Sequence, residues 1–146
     1  FNIPLAFEAA KKSANWNHLG LPAFNANNYL QIDDESESVS KTLEYSYDAW
    51  CIAQVAKYLG KNEEALHYNR LASSYRNMYD ATSGFMRPRR NGNWLSPFDP
   101  LEVNNHYTEA NSYQYSFFVP QDIPGMIDLM GGANLFDKKF KFSLYL

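Results

Sequence analysis

Apolar residues recur at helical spacing most persistently between Ser38 and Leu59. Val39, Leu43, Tyr47, Trp50, Cys51, Val55, Tyr58 and Leu59 predict one long helix with a continuous apolar stripe that would bury Cys51. Asp33, Asp34, Glu35 and Glu37 stand at its N-terminal end and Gly60-Lys61 at its C-terminal end, which suits a helix dipole and a glycine stop. Asn62 suits an N-cap, with Glu63 and Glu64 in the first turn of a second helix whose Ala65, Tyr68, Ala72, Tyr75 and Tyr79 share a face. These two helices read as a hairpin. Ahead of them, Leu5 to Ala14 is compatible with a short helix, and Gly20-Leu21-Pro22 opens a polar, Asn-rich connection to Gln31.

From Asp80 to Asn105, Gly84, Pro88, Gly92, Pro97 and Pro100 forbid a long regular element, so this stretch reads as loop or short strands. It is long for a connector, and its Phe85, Met86, Trp94 and Phe98 argue against disorder. Thr108 could cap a third helix from Glu109 to about Phe118, ended by Pro120. A fourth runs from Asp122 to Met130 before Gly131-Gly132, and a last short one from Asn134 to about Phe140. No segment carries a convincing strand alternation. The fold class is all-α, with helical hairpins joined by loops that carry function.

Composition narrows the function. The 146 residues are 45% hydrophobic and 20% charged, ordinary for a globular chain, but 16% are aromatic. Eleven Tyr and three Trp supply rings that suit both helix packing and sugar stacking. A net charge of −3 argues against a nucleic-acid partner, and the basic cluster Arg87-Pro88-Arg89-Arg90 reads as a solvated loop. No apolar run is long enough to span a bilayer, and Phe1-Asn2-Ile3-Pro4 does not resemble a signal peptide. A lone cysteine excludes an internal disulfide, and no Cys/His spacing suggests zinc.

Among 16 acidic residues, Glu44, Asp99 and Glu109 stand apart because aromatic or apolar neighbours flank them. An acid in such surroundings stays protonated nearer neutrality, as a general acid must. Each has a plain structural alternative. Glu109 reads equally as a first-turn carboxylate, Glu44 as a buried acid satisfied by hydroxyls, and Asp99 as an Asx-type loop residue before Pro100. Spacing alone does not choose.

The motifs do. Ser38-Val39-Ser40-Lys41-Thr42-Leu43-Glu44-Tyr45-Ser46-Tyr47-Asp48-Ala49-Trp50, then Gly84-Phe85-Met86-Arg87, Pro97-Phe98-Asp99-Pro100, Tyr107-Thr108-Glu109-Ala110-Asn111-Ser112-Tyr113-Gln114-Tyr115-Ser116 and Val119-Pro120-Gln121-Asp122 follow in order over about 85 residues. Together they resemble glycoside hydrolase family 92, calcium-dependent exo-α-mannosidases. The resemblance implies that residues 1–146 are a fragment of an (α/α)6 barrel catalytic domain, with an N-terminal β-sandwich domain and the C-terminal part of the barrel outside them. It implies cleavage of terminal α-linked mannose, α-1,2 foremost, with inversion. Glu109 matches the family's general acid, and Glu44, Trp94, Asp99, Asn111 and Gln114 are the expected substrate contacts. Asp48-Ala49-Trp50 departs from the family's usual Asp-Asp-Trp, and Tyr113 stands where a Trp is frequent.

Inversion needs a second carboxylate about 6.5–9.5 Å from the acid. The family's base lies in an acidic motif that these residues lack, so the isolated chain is expected to be inactive, and Phe140 to Leu146 does not look like the family's continuation. Calcium is implied, but no ligands can be placed. The expected partners are a mannose-containing glycan and the remainder of the same enzyme, and family analogy favours a secreted, periplasmic or cell-surface location. The rivals are a tetratricopeptide-like interaction hairpin, which would need further copies that do not appear, and a non-catalytic glycan-binding segment.

Overall fold

The computed structural model describes residues 2–143, so the expectations for Phe1 and for Leu144 to Leu146 fall outside the described residues. It is predominantly helical, as expected. The order is α1 (Ile3–Ala14), α2 (Leu21–Asn27), α3 (Ser38–Tyr58), α4 (Asn62–Ala72), a 3₁₀ turn (Ser74–Met78), two short β-hairpins, α5 (Ser112–Tyr115), α6 (Ile123–Leu129) and α7 (Ala133–Ser143). The hairpins pair β1 (Tyr79–Asp80) with β2 (Phe85–Met86) and β3 (Arg89–Arg90) with β4 (Asn93–Trp94), both antiparallel. They fill the long Gly- and Pro-rich connection.

α3 organises the molecule because its two halves serve two cores. Toward its C-terminal end, Ala49, Ile52, Ala53 and Ala56 pack with Phe7 of α1, Phe24 of α2, and Ala65, Tyr68 and Leu71 of α4. Toward its N-terminal end, Val39 and Leu43 join Tyr75, Met78, Met86, Tyr107, Val119 and Met126. A fully buried leucine such as Leu43 contributes about 1.5–3 kcal/mol of transfer free energy. The second core lies beneath the loop that carries Glu109.

The buried face of α3 differs from the expected stripe. Ser46, Ala49, Ala53 and Ala56 are buried, whereas Tyr47, Trp50, Cys51 and Val55 are half-buried and Tyr58 is 75% exposed. Small side chains let neighbouring helices approach closely, which moves the large rings to the flanks. Cys51 is therefore not sealed in the core.

Four local readings change. The stretch after Gly20 is not an irregular connection: Leu21–Asn27 is helical, started by Gly20 at φ 75° and Pro22 in the first turn, and anchored by buried Phe24. Asn62 is the first residue of α4 rather than its cap; Lys61 holds the cap position and makes no side-chain cap bond. Tyr75 and Tyr79 leave α4, one for the 3₁₀ turn and one for β1, although Tyr75 is still buried. The third predicted helix is much shorter, because Asn111 caps it and Thr108 does not. Asn111 accepts from the Gln114 N–H at 3.1 Å while the Gln114 side chain accepts from the Asn111 N–H at 3.1 Å, a reciprocal box that satisfies two free donors.

Candidate active site

Glu109 sits in the turn ahead of α5, with φ at 51°. A left-handed backbone is costly for a glutamate and persists only where the surroundings fix it. Three sets of bonds do so.

The first set comes from α3. Its opening N–H groups lack a side-chain cap, and the loop supplies the acceptors: Glu37 donates to the Asn105 carbonyl at 2.8 Å and Val39 to the His106 carbonyl at 3.2 Å. The Ser40 hydroxyl in turn accepts from the Thr108 N–H at 2.8 Å. The second set centres on buried Met86 of β2. Its carbonyl accepts the Tyr107 hydroxyl at 2.7 Å and the Ser112 hydroxyl at 2.6 Å, and its N–H donates to the Ser116 hydroxyl at 2.8 Å. The third set holds the far side, where the Tyr113 N–H donates to the Pro100 carbonyl at 3.1 Å and Asn111 Nδ2 to the Leu101 carbonyl at 3.3 Å.

So fixed, Glu109 is exposed and lines a hollow of about 280 Å³ with Ala110, Gln114, Tyr115 and Phe118. Glu109 is the one carboxylate in that lining. Aromatic rings continue away from it: Tyr115 meets Phe118 at 6.2 Å, Phe118 meets Tyr47 edge-on at 6.3 Å, and Tyr47 stacks on Trp50 at 6.0 Å. The Tyr115 hydroxyl donates to Glu44 Oε1 at 3.0 Å. Burial pushes that hydroxyl up from its usual value, against the pull of the Ser40 and Thr108 hydroxyls beside it. Burial also lowers the nearby His106, favouring its neutral form.

The other expected contacts are distributed unevenly. Gln114 lines the Glu109 hollow; Glu44 reaches it through Tyr115. Asn111 is committed to capping α5. Asp99 accepts from the Leu101 N–H at 2.9 Å, an Asx turn of the kind its position before Pro100 suggests. Trp94 is half-buried on the second hairpin with the Arg89 guanidinium 3.5 Å above its ring, and it does not line the hollow.

A larger hollow, about 480 Å³, lies between α1, α2, α3 and α4 and is lined mainly by apolar residues such as Trp16, Phe24, Tyr45, Ile52 and Leu71. Its one carboxylate, Asp48, is raised above its usual value by desolvation. The sequence motif includes Asp48, whose neighbour Ala49 is the departure from the family, but gives it no role of its own. The aromatic run from Tyr115 to Trp50 was also missed, because Phe118 lies 71 residues after Tyr47 and only the fold brings them together.

Among the described residues, no three His, Cys, Asp or Glu side chains gather as a metal would require, so no calcium ligand is assigned. No helix among them is long and apolar enough to cross a membrane.

A helical scaffold that presents one clamped, exposed carboxylate beside a row of aromatic rings is of the kind that glycoside hydrolases use. Comparison with known proteins agrees. The family model for the glycosyl hydrolase family 92 catalytic domain matches residues 1–144, and the chain belongs to that family. The structure of the family GH92 alpha-mannosidase BT3965 from Bacteroides thetaiotaomicron is similar at a TM-score of 0.92 and 41% identity, covering 97% of this chain and 19% of that one. The family GH92 inverting mannosidase BT2199 of the same species is similar at a TM-score of 0.92 and 32% identity, covering 95% of this chain and 20% of that one. An uncharacterized secreted glycosidase of Arthroderma benhamiae is 30% identical over 84% of this chain and 19% of its own length. The chain thus spans about a fifth of the length of the relatives it matches.

Proposed function

We propose that these residues form part of the (α/α)6 catalytic domain of an α-mannosidase that removes terminal α-linked mannose, α-1,2-linked in the first instance, with inversion. Glu109 is the general acid. Its carboxyl gives its proton to the glycosidic oxygen as the bond from that oxygen to the sugar's anomeric carbon breaks. A water attacks the opposite face of the sugar, and a carboxylate base takes that water's proton.

One observation carries this reading: the family's acid position is the single carboxylate of its hollow, held out on a left-handed backbone by bonds from two other elements. Gln114, in the same lining, is placed to contact a sugar hydroxyl, and Tyr115 connects that lining to Glu44. Asn111, Asp99 and Trp94 act on substrate through the loop and hairpin they shape. The base is expected from the family's acidic motif outside these residues, and the Glu109 hollow has no second carboxylate in its lining. The family resemblance implies calcium, and no group of three His, Cys, Asp or Glu among the described residues is arranged to hold it. Likeness to the secreted glycosidase of Arthroderma benhamiae supports secretion as the location.

The row of rings from Tyr115 to Trp50 favours a second reading, glycan binding without cleavage. Release of mannose from α-1,2-linked mannobiose in calcium-containing buffer separates the two. A full-length protein carrying this segment is expected to release mannose, initially as the β-anomer in proton NMR, and Glu109→Gln is expected to abolish release without abolishing binding. The 146 residues alone are expected to release none. Undiminished release by Glu109→Gln would overturn the assignment of the acid, and release by the short chain would overturn the external base.

A further inference from the structure

Among the described residues, the Ser40 side chain holds the Tyr107–Thr108 peptide, one residue ahead of Glu109. Ser40 is 0% exposed in the first turn of α3, and its hydroxyl accepts from the Thr108 N–H at 2.8 Å. The neighbouring ties between α3 and this loop, through the Asn105 and His106 carbonyls, are backbone bonds that other side chains could preserve. The Ser40 bond fixes the peptide plane at which the chain enters Thr108, one residue before Glu109 turns at φ 51°, so it bears on where the carboxyl points. Tyr115, whose ring lines the same hollow, has its hydroxyl beside Ser40 and Thr108. Ser40 therefore lies against both the backbone that leads to the acid and Tyr115 in the lining of its hollow.

We propose that Ser40 is a positioning residue for proton transfer: it acts through the Thr108 N–H to hold Glu109 in reach of the leaving oxygen, without touching substrate. The proposal rests on Glu109 being the acid. A misplaced acid slows only reactions whose leaving group needs a proton, because a good leaving group departs unaided. This separates positioning from a general loss of structure or of sugar binding.

Ser40→Ala, in a full-length protein carrying this segment, is assayed on α-1,2-linked mannobiose and on 2,4-dinitrophenyl α-mannoside. The expected result is a kcat on mannobiose lower by about 10- to 100-fold with KM changed by about twofold or less, and a kcat on the dinitrophenyl substrate changed by about twofold or less. Ser40→Thr, which keeps the hydroxyl, is expected to recover most of the lost rate. Ser40→Cys, close in size and a poor acceptor, takes the place of Ser40→Ala if the latter does not fold. Equal loss on both substrates, or none on mannobiose, would overturn the positioning role. Glu109→Gln in parallel keeps the two claims apart. If it shows the leaving-group pattern and Ser40→Ala does not, the acid stands and the role of Ser40 falls; if Glu109→Gln itself lacks the pattern, the acid assignment falls and takes the proposal with it.

Discussion

The Met86 carbonyl accepts two buried hydroxyls, from Tyr107 and Ser112, and this predicts a specific non-additivity. Tyr107→Phe or Ser112→Ala alone removes one donor while the carbonyl keeps the other, so each costs about 1 kcal/mol. Both together leave a carbonyl of a fully buried residue with neither hydroxyl, which adds about 1–3 kcal/mol for its uncompensated desolvation. The double variant is therefore expected to lose about 3–5 kcal/mol where simple addition gives about 2. Hydrogen exchange of the backbone amides of residues 112–116 reads this locally, whatever else the protein contains. With each 1.4 kcal/mol worth about tenfold, exchange should rise about fivefold in each single variant and by more than about a hundredfold in the double. A double variant equal to the sum of the singles would refute the idea that these hydroxyls share one acceptor, and with it the clamp on the Glu109 loop.

Two further predictions concern the scaffold. Burial alone would raise Asp80, but the Ser83 hydroxyl, Arg87 and the Thr82 and Ser83 N–H groups outweigh it and hold its carboxyl below its usual value. A carboxyl lowered on folding gives stability that is complete above its unfolded value, near pH 4, and is lost as pH falls through the folded value. Urea unfolding midpoints should fall as pH drops below about 4, and Asp80→Asn should flatten that fall. An unchanged slope would contradict the assignment. At Gly125, an added Cβ would overlap the Arg76 guanidinium, the Asp122 carboxylate and the Tyr75 hydroxyl, which together tie α6 to the 3₁₀ turn. Gly125→Ala should cost about 1–3 kcal/mol by thermal or urea melting, and no change would mean that this network yields freely.

Much of this arrangement is visible in the residues, and what is hidden has physical reasons. The extent of α3 follows from its periodicity, but its buried face does not, because Ser46, Ala49, Ala53 and Ala56 carry little hydrophobic signal and are buried for their small size. α2 hides in an Asn-rich stretch whose helical start depends on one glycine and one proline. Glu109 is legible through its motif, whereas its left-handed turn is not, since Thr108 and Asn111 look equally able to cap. Gln114 three residues after Asn111 was the available clue, matching a capping box. Ser40 falls within the first motif, but nothing there signals its contact with the acid loop. Its partner, Thr108, is 68 residues away, and only the fold places a helix-start serine under the acid loop.

The most direct test of the central claim is how rate depends on the leaving group. A series of aryl α-mannosides with leaving groups of graded acidity, assayed in a full-length protein carrying this segment, gives a plot of log kcat against leaving-group pKa. With Glu109 present the slope should be shallow, because the acid's proton offsets the charge on the departing oxygen. Glu109→Gln should steepen it sharply, leaving the most activated substrates nearly unaffected and the poorest slowed by about 10²- to 10⁴-fold. A slope in Glu109→Gln as shallow as in the parent protein would contradict Glu109 as the general acid.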